Sequence, residues 1–351
     1  MNMKPLVIGD LVARIPIIQG GMGVGVSRSR LAAAVAKEGG IGIISTAQIG
    51  YDEPDFQKNQ ITSNLKAIHK HVKLAREMAK EGVIGVNIMV ATKQYEDYVK
   101  AACEAGVDLI ISGAGLPITL PRLVQGFRTK IAPIVSSIRA TAVLLKMWDK
   151  KYQRTADMLV VEGHRAGGHL GFTKEQMEDM DEIDFDNEVK GIIECKKEYE
   201  EKYQVNIPVV VAGGIFDQKD IKHALSLGAD GVQMATRFVA TEECDASDEF
   251  KKAYLNASKE DIKITISPVG LPGRAINNSF LKKLEEGRED VTKCFRCLEH
   301  CNPKTTPYCI TKALINAVRG NTEEGLIFAG DNVDRLREIT TVKDIFKELV
   351  F

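Results

Sequence analysis

Short apolar runs rich in valine and isoleucine recur along the chain, and most are followed by a stretch whose apolar residues have helical spacing. The segment RSRLAAAVAKE at 28–38 is one such helix, with Ser27 as its candidate N-cap and Gly39 as its stop. Buried strands that alternate with amphipathic helices indicate a parallel sheet, because helical crossovers connect parallel strands and cover their faces. We place eight strands, at residues 15–19, 41–45, 83–89, 109–112, 131–136, 158–162, 207–212 and 231–235.

Eight strand and helix units in 351 residues predict an α/β fold of the (β/α)8 TIM-barrel class, with a C-terminal cysteine-containing extension. We assign residues 1–245 and 310–351 to the barrel, and residues 246–309 to an inserted lid or substrate region. The charged segment 186–203 is interpreted as a solvated surface helix inserted before the seventh strand. The rival architecture is an open doubly wound sheet. For that fold, GGMGVG after the first strand lacks the G-x-G-x-x-G spacing, and IISTAQ lacks the acidic residue of a dinucleotide site.

The composition excludes two classes of partner. With 44% hydrophobic residues, 27% charged residues and a formal net charge of −1, the chain has the composition of an ordinary soluble globular protein. No charge excess points to nucleic acid or to an anionic membrane. No apolar run approaches the ~18 residues of a membrane span, and the first residues lack the pattern of a signal peptide. We therefore expect a cytoplasmic protein that binds neither nucleic acid nor membrane.

Glycine and small polar residues follow most of the predicted strands. In an α/β barrel the active site lies at the carboxyl ends of the strands, and glycine there lets the backbone approach a ligand that a Cβ would exclude. Glycines at so many strand ends indicate a large, flat ligand. After the last two strands, Gly213, Gly214 and the amides around Ala235 and Thr236 stand where barrels usually bind a phosphate. The segments are QGGMG, GVNIM, SGAGLP, EGHRAGGH, AGGIFD and QMATRF.

These motifs resemble the 2-nitropropane dioxygenase, or nitronate monooxygenase, family of FMN-dependent barrels. The resemblance is carried by IIQGGMG, GVNIM, GGH, VVVAGGI and VQMATRF. It runs from about residue 15 to 241, resumes at GLPGRAI (270–276) and returns at GLIFAGDN (325–332). The flavin-dependent enoyl-ACP reductases are a sister branch of this family. The resemblance is also compatible with a homodimer.

The resemblance implies a role for each matching position. Gly21 and Met22 would lie along the isoalloxazine ring of FMN, and Asn87 would hydrogen-bond its polar edge. Arg139, after the fifth strand, would pair with the ring or the phosphate, or is structural. The cofactor-binding set is completed by Glu162, by Gly167 and Gly168, and by the phosphate-binding Gly213, Gly214, Gln233, Met234, Ala235 and Thr236.

His169 is the candidate catalytic residue, because the resemblance places the family's catalytic histidine at the GGH position. An imidazole with a pKa near neutrality can donate or accept a proton, or orient an anion. His164 is expected to be a loop residue. Glu162 stands where the monooxygenase pattern often has glutamine and is more similar to the reductase branch, and Arg165 occupies a position that is usually acidic. These departures bear on the choice of substrate more than on flavin binding.

The resemblance implies a small-molecule substrate and leaves two reactions open. A nitronate monooxygenase would use FMN and oxygen to oxidise an alkyl nitronate to a carbonyl compound and nitrite, and it would need no nicotinamide. An enoyl-ACP or enoyl-thioester reductase would need NADH or NADPH to reduce FMN, and His169 would help to protonate the substrate. The monooxygenase is our leading prediction. From other classes, a non-catalytic flavin redox sensor and a phosphate-binding lyase or isomerase stay open.

Four of the seven cysteines fall within the sixteen residues of CFRCLEHCNPKTTPYC. Thiolates so close in sequence can surround a [4Fe-4S] cluster or a tetrahedral zinc ion, and redox-active or unligated cysteines are the third interpretation. The segment is absent from the family pattern, so the resemblance implies no role for it. The candidate ligands are Cys294, Cys297, Cys301 and Cys309.

Overall fold

The computed structural model describes residues 3–351 and contains a closed barrel of eight parallel strands. Each barrel strand pairs with the next one along the chain, and the last pairs with the first, with Val232 opposite Ile17. The predicted (β/α)8 TIM barrel is confirmed, and the doubly wound alternative is wrong because the sheet is closed. The strands in chain order are β1 (Leu6–Ile8), β2 (Leu11–Ala13), β3 (Ile17–Gln19), β4 (Ile41–Ser45), β5 (Val83–Met89), β6 (Leu109–Gly113), β7 (Lys130–Val135), β8 (Leu159–Glu162), β9 (Gly168–His169), β10 (Val209–Ala212), β11 (Gly231–Met234), β12 (Ile262–Ile266) and β13 (Pro272–Ile276), and the barrel consists of β3 to β8, β10 and β11.

The hairpin of β1 and β2 packs against the interior of the barrel. Leu6 and Ile8 are buried in one apolar cluster with the inward-facing Ile18 and Ile41. The side chains inside an α/β barrel form a packed core rather than a pore. The remaining opening is at the carboxyl ends of the strands, where the glycine-rich segments lie.

The predicted N-cap Ser27 does not cap the first barrel helix. Its hydroxyl accepts the amide of Met22 at 2.8 Å, while Asp245 accepts the amides of Arg28 and Leu31 at 2.8 and 3.2 Å. A carboxylate from a distant segment therefore satisfies the free amides of this helix start. Within residues 3–351, no helix is both long and apolar enough to cross a membrane. The helices are α1 (Ser29–Lys37), α2 (Gln60–Ala79), α3 (Tyr95–Glu104), α4 (Leu120–Leu123), α5 (Ile138–Tyr152), α6 (Lys174–Glu178), α7 (Phe185–Tyr203), α8 (Gln218–Ser226), α9 (Thr236–Val239), α10 (Asp248–Asn256), α11 (Ser279–Glu286), α12 (Ile310–Val318) and α13 (Val342–Leu349), with short 3₁₀ helices at Met180–Glu182, Lys259–Asp261, Thr322–Glu324 and Val333–Arg335.

The charged segment at 186–203 forms α7, but one face of this helix is buried. Val189, Ile192 and Tyr199 are buried, and the helix packs against α5. Because α7 connects β8 to β10, it is one of the regular helices that cover the barrel. The interpretation of this segment as an insertion is wrong, although its helical structure is confirmed.

The region 246–309 contains α10, β12, β13 and α11. Strand β13 pairs with β12 on one side and with β9, from the loop after β8, on the other. An apolar cluster around Leu281 and Tyr308 continues into Ile310 and Ala313 of α12. The division of the chain into a barrel and an inserted region at 246–309 stays a prediction.

Candidate active site

A cavity of about 240 Å³ lies at the carboxyl ends of the barrel strands. Strand-end glycines line it, together with apolar side chains of the C-terminal region that include Phe250, Tyr254, Leu314 and Phe328. The structure thus brings glycine-rich segments that are far apart in sequence to one place. The predicted site residues that line the cavity are Gly21, Met22, Asn87, Glu162, Gly167, Gly168, His169, Gly213, Gly214, Gln233, Met234, Ala235 and Thr236.

Close packing requires glycine at two positions of the cavity wall. A Cβ at Gly21 would lie 2.4 Å from the Cβ of Asn87. A Cβ at Gly167 would lie 2.6 Å from backbone atoms of Ala329 and Gly330. No side chain fits at either position without moving its neighbours. The wall therefore presents main chain at these points, which suits a flat ligand.

The loops after β10 and β11 have features of a phosphate site. Gly213 and Gly214 have φ values of +88° and +82°, and the Nδ2 of Asn332 donates to the carbonyl of Gly214 at 2.6 Å. Ala235 precedes α9 without capping it through a side chain. The Oε1 of Gln233 is buried and has no hydrogen-bond partner among residues 3–351. A buried acceptor without a donor is costly, so this end of the cavity fits a ligand that brings a hydrogen-bond donor, such as a hydroxyl group or ring N–H of FMN.

His169 is positioned by residues that are distant in sequence. It lies on β9, opposite Gly273 of β13. Its Nε2 is 2.7 Å from the Oγ of Ser267, and its ring centroid is 5.0 Å from that of Phe328. Burial lowers the pKa of His169 to about 4, well below the near-neutral value assumed from the sequence, so the imidazole is neutral at pH 7. With one ring nitrogen bonded to Ser267, the other can serve a ligand as donor or acceptor.

Arg274 fixes the loop that carries this histidine. The residue is only 1% exposed, and its guanidinium donates to the carbonyls of His164 and Ala166 at 2.6 and 2.7 Å. Burial lowers the pKa of Arg274, and the nearby Asp331 opposes that shift. The motif GLPGRAI therefore contributes a clamp on the histidine loop, a role that its sequence does not reveal.

Glu162 places a second titratable side chain in the same cavity. It is the last residue of β8, and burial raises its pKa to about 7. A carboxyl group with this pKa is divided between acid and carboxylate at neutral pH. The cavity thus combines a neutral imidazole with a carboxyl group that exchanges a proton near pH 7, and proton-transfer catalysis uses such groups.

Arg139 and His164 lie outside this cavity. Arg139 is exposed on the first turn of α5, where the helix directs its side chain to solvent. The prediction that it pairs with a flavin ring or phosphate therefore gains no support. His164 lies in a turn, with its ring edge-on to Phe172 and Phe185 at centroid distances of 6.1 Å. Its environment is that of a packing residue.

The four clustered cysteines surround a second, smaller cavity. Cys294, Cys297, Cys301 and Cys309 all line this cavity of about 110 Å³, and Cys297 also lines the larger one. Within residues 3–351, no group of three or more histidine, cysteine or acidic side chains is already arranged to hold a metal ion. The prediction of zinc or an iron–sulfur cluster thus gains no support from preformed ligand geometry.

A closed α/β barrel with titratable side chains in a cavity at the carboxyl ends of its strands has the construction of a barrel enzyme. The family model described as Nitronate monooxygenase matches residues 5–351. The chain therefore belongs to the nitronate monooxygenase family, and it is an oxidoreductase. The family predicted from the glycine motifs is confirmed.

Relatives of this chain include curated proteins and solved structures. A probable nitronate monooxygenase of Staphylococcus saprophyticus is 27% identical over 314 residues, which cover 83% of each chain. The (3aS,4S,5R,7aS)-5-hydroxy-7a-methyl-1-oxo-octahydro-1H-indene-4-carboxyl-CoA dehydrogenase of Mycobacterium tuberculosis is 26% identical, over 95% of this chain and 92% of that protein. The structure of FabK from Thermotoga maritima is 28% identical with a TM-score of 0.71, over 95% of this chain and 91% of that one.

Proposed function

We propose that the protein is an FMN-dependent nitronate monooxygenase that oxidises alkyl nitronates. The observation that carries the proposal is the neutral imidazole of His169 in the glycine-walled cavity of a chain from this family. An alkyl nitronate is a small anion. The ring nitrogen that Ser267 leaves free can hydrogen-bond such an anion or exchange a proton with it.

FMN would occupy the part of the cavity that the strand-end glycines form. When bound, it supplies the electron acceptor and the centre that reacts with oxygen. Gly21 packs closely against the Cβ of Asn87, and the amide of Asn87 would bond the polar edge of the ring. Gly213 and Gly214 would hold the phosphate with the neighbouring amides, and a ligand donor would satisfy the buried Oε1 of Gln233.

Glu162 would set the charge of the cavity. Its protonated form is neutral and can donate a hydrogen bond, whereas its carboxylate form repels an anionic nitronate. Burial raises the pKa of Glu162 to about 7. Nitronate turnover should therefore weaken as the pH rises through neutrality.

Residues 246–309 would form a lid over the substrate. This role is supported by Phe250, Tyr254 and Leu298, which line the cavity, and by the pairing of β13 with the strand that carries His169. A bound substrate would then lie between the barrel and this region. The homodimer stays a prediction.

An NADH- or NADPH-dependent enoyl-thioester reductase is the second candidate function. The apolar side chains of Phe250, Leu314 and Phe328 favour it, because an acyl chain gains more than a short nitronate from burial against apolar surface. The similarity to FabK and to the mycobacterial carboxyl-CoA dehydrogenase points the same way. In that reaction the neutral imidazole of His169 would hydrogen-bond the substrate, and the protonated carboxyl group of Glu162 would supply the proton.

Anaerobic flavin reduction separates these functions. The protein is purified without oxygen, its FMN content is measured, and the flavin absorbance is followed with propyl nitronate, NADH and NADPH in separate cuvettes. The proposal predicts bleaching by the nitronate, and nitrite release when oxygen is admitted. Bleaching by a nicotinamide and reoxidation by an enoyl thioester would establish the reductase instead. Flavin binding without either turnover would indicate a sensor.

The role of His169 is tested in the same assay. His169→Ala should reduce nitronate turnover at least about a hundredfold, a typical effect of losing an acid–base group. His69→Ala, on the exposed face of α2, is the control and should be unaffected. Wild-type turnover by His169→Ala would remove this residue from the mechanism.

A further inference from the structure

The four clustered cysteines form a site that the proposed function does not use. All four line the same cavity of about 110 Å³, three from one loop and the fourth from the residue that precedes α12; they are Cys294, Cys297, Cys301 and Cys309. Cysteine side chains that neither bind a metal nor form a disulfide gain no stabilisation from lying around one cavity. The arrangement therefore points to a shared ligand.

Two of these cysteines have backbone dipoles directed at them. The amide of Arg296, a residue with φ of +48°, donates to the Sγ of Cys294 at 3.3 Å. Cys309 is the N-cap residue of the nine-residue helix α12, although its side chain makes no capping hydrogen bond. Its sulfur therefore lies beside the positive end of a helix, which favours an anionic group. Hydrogen bonds to the ligand sulfurs are also a usual feature of iron–sulfur sites.

The charges around this cavity suit an anionic group. Lys93 and Arg296 line it, against the single carboxylate of Glu299. Four thiolates around a cluster of iron and sulfide leave a net negative charge, which nearby cations offset. Neutral thiols would need no such compensation.

We propose that these four cysteines bind an iron–sulfur cluster of the [4Fe-4S] type. Zinc needs four donors about 2.3 Å from one point, and no group of three or more cysteine, histidine or acidic side chains among residues 3–351 is arranged in that way. A cluster of several iron and sulfide atoms instead holds its thiolates apart around a volume, and the four cysteines share one cavity. Because Cys297 also lines the larger cavity, the cluster lies beside the active-site cavity. The proposal does not depend on which substrate the enzyme uses.

The test is a metal and sulfide analysis of the full-length protein, expressed with added iron and purified without oxygen. About four iron and four acid-labile sulfide per chain are expected, with FMN quantified separately after extraction. The variants Cys294→Ser, Cys297→Ser, Cys301→Ser and Cys309→Ser should each fall below about one iron per chain. Cys195→Ser, on α7 outside both cavities, is the matched control and should keep its iron.

Two results on the wild-type protein would overturn the proposal, whatever the folding of the variants. One is stoichiometric zinc without sulfide. The other is a protein that takes up neither iron nor sulfide during anaerobic reconstitution and whose four thiols all react with iodoacetamide. Electron paramagnetic resonance of the dithionite-reduced protein provides a second measurement, because a reduced cluster gives a spectrum that zinc and free thiols lack.

Discussion

Replacement of Gly21 by alanine should weaken FMN binding in the proposed site about tenfold to a hundredfold. The added Cβ would lie 2.4 Å from the Cβ of Asn87 and 3.2 Å from the Cγ2 of Ile43, whereas carbon atoms in contact stay about 3.5–4.0 Å apart. Asn87 cannot move away freely, because its carbonyl accepts the amide and the hydroxyl of Thr46 at 3.1 and 2.9 Å. Overpacking of this kind costs about 1–3 kcal/mol. The clash is relieved if the alanine or Asn87 moves into the cavity, but bound FMN would block that movement, so the cost falls on the FMN complex. Each increment of about 1.4 kcal/mol in that cost lowers the affinity about tenfold.

The assay is titration of the apoprotein with FMN, followed by the quenching of flavin fluorescence, with thermal unfolding measured in parallel. Gly106→Ala is the matched control. Its φ of +77° strains an alanine, while no described atom outside its immediate chain neighbours lies within 4 Å of the added Cβ, so it should cost about 1–2 kcal/mol of stability and leave FMN affinity unchanged. A Gly21→Ala protein whose Kd is within about twofold of wild type, or an equal loss of affinity in both variants, would refute the reasoning.

In steady-state kinetics, Ser267→Ala should lower kcat about tenfold with little change in KM, and Ser267→Thr should keep most of the wild-type kcat. An unchanged kcat in the alanine variant would show that the hydroxyl does not orient His169. Glu162→Gln should abolish the decline of kcat/KM that we expect as pH rises through about 7, and a persistent decline in the pH–rate profile would assign it to another group. Arg274→Met leaves two buried carbonyls without their donor, so denaturant titration should show about 2–5 kcal/mol less stability, with a smaller loss for Arg274→Lys. Burial lowers the pKa of His169 from 6.5 to about 4, so the unfolded chain protonates first. The contribution of His169 to the free energy of unfolding of the apoprotein should therefore be complete above pH 6.5 and be lost as the pH falls toward 4. His169→Gln should reduce this pH dependence.

The sequence predicts those features that depend on local patterns. Periodic apolar runs predict all eight barrel strands, with ends that differ from the structure by no more than two residues. The glycine motifs predict the cavity wall, because the carboxyl ends of the strands share one rim in any such barrel. Ser267 and Arg274 are not predictable in this way, since they contact the histidine loop across 98 and 110 residues. Asp245 caps α1 across 217 residues, and nothing in its own neighbourhood indicates that contact.

The proposed cofactor and substrate parts of the cavity come from different parts of the chain. Strand ends of the barrel supply the glycines, whereas Ser267 and Phe328 position His169, and Phe250 and Tyr254 add apolar surface. Changes in the C-terminal region can therefore alter the substrate while the contacts proposed for the flavin stay intact. The glycine motifs thus bear on the cofactor, and the substrate must be determined with variants of the C-terminal region.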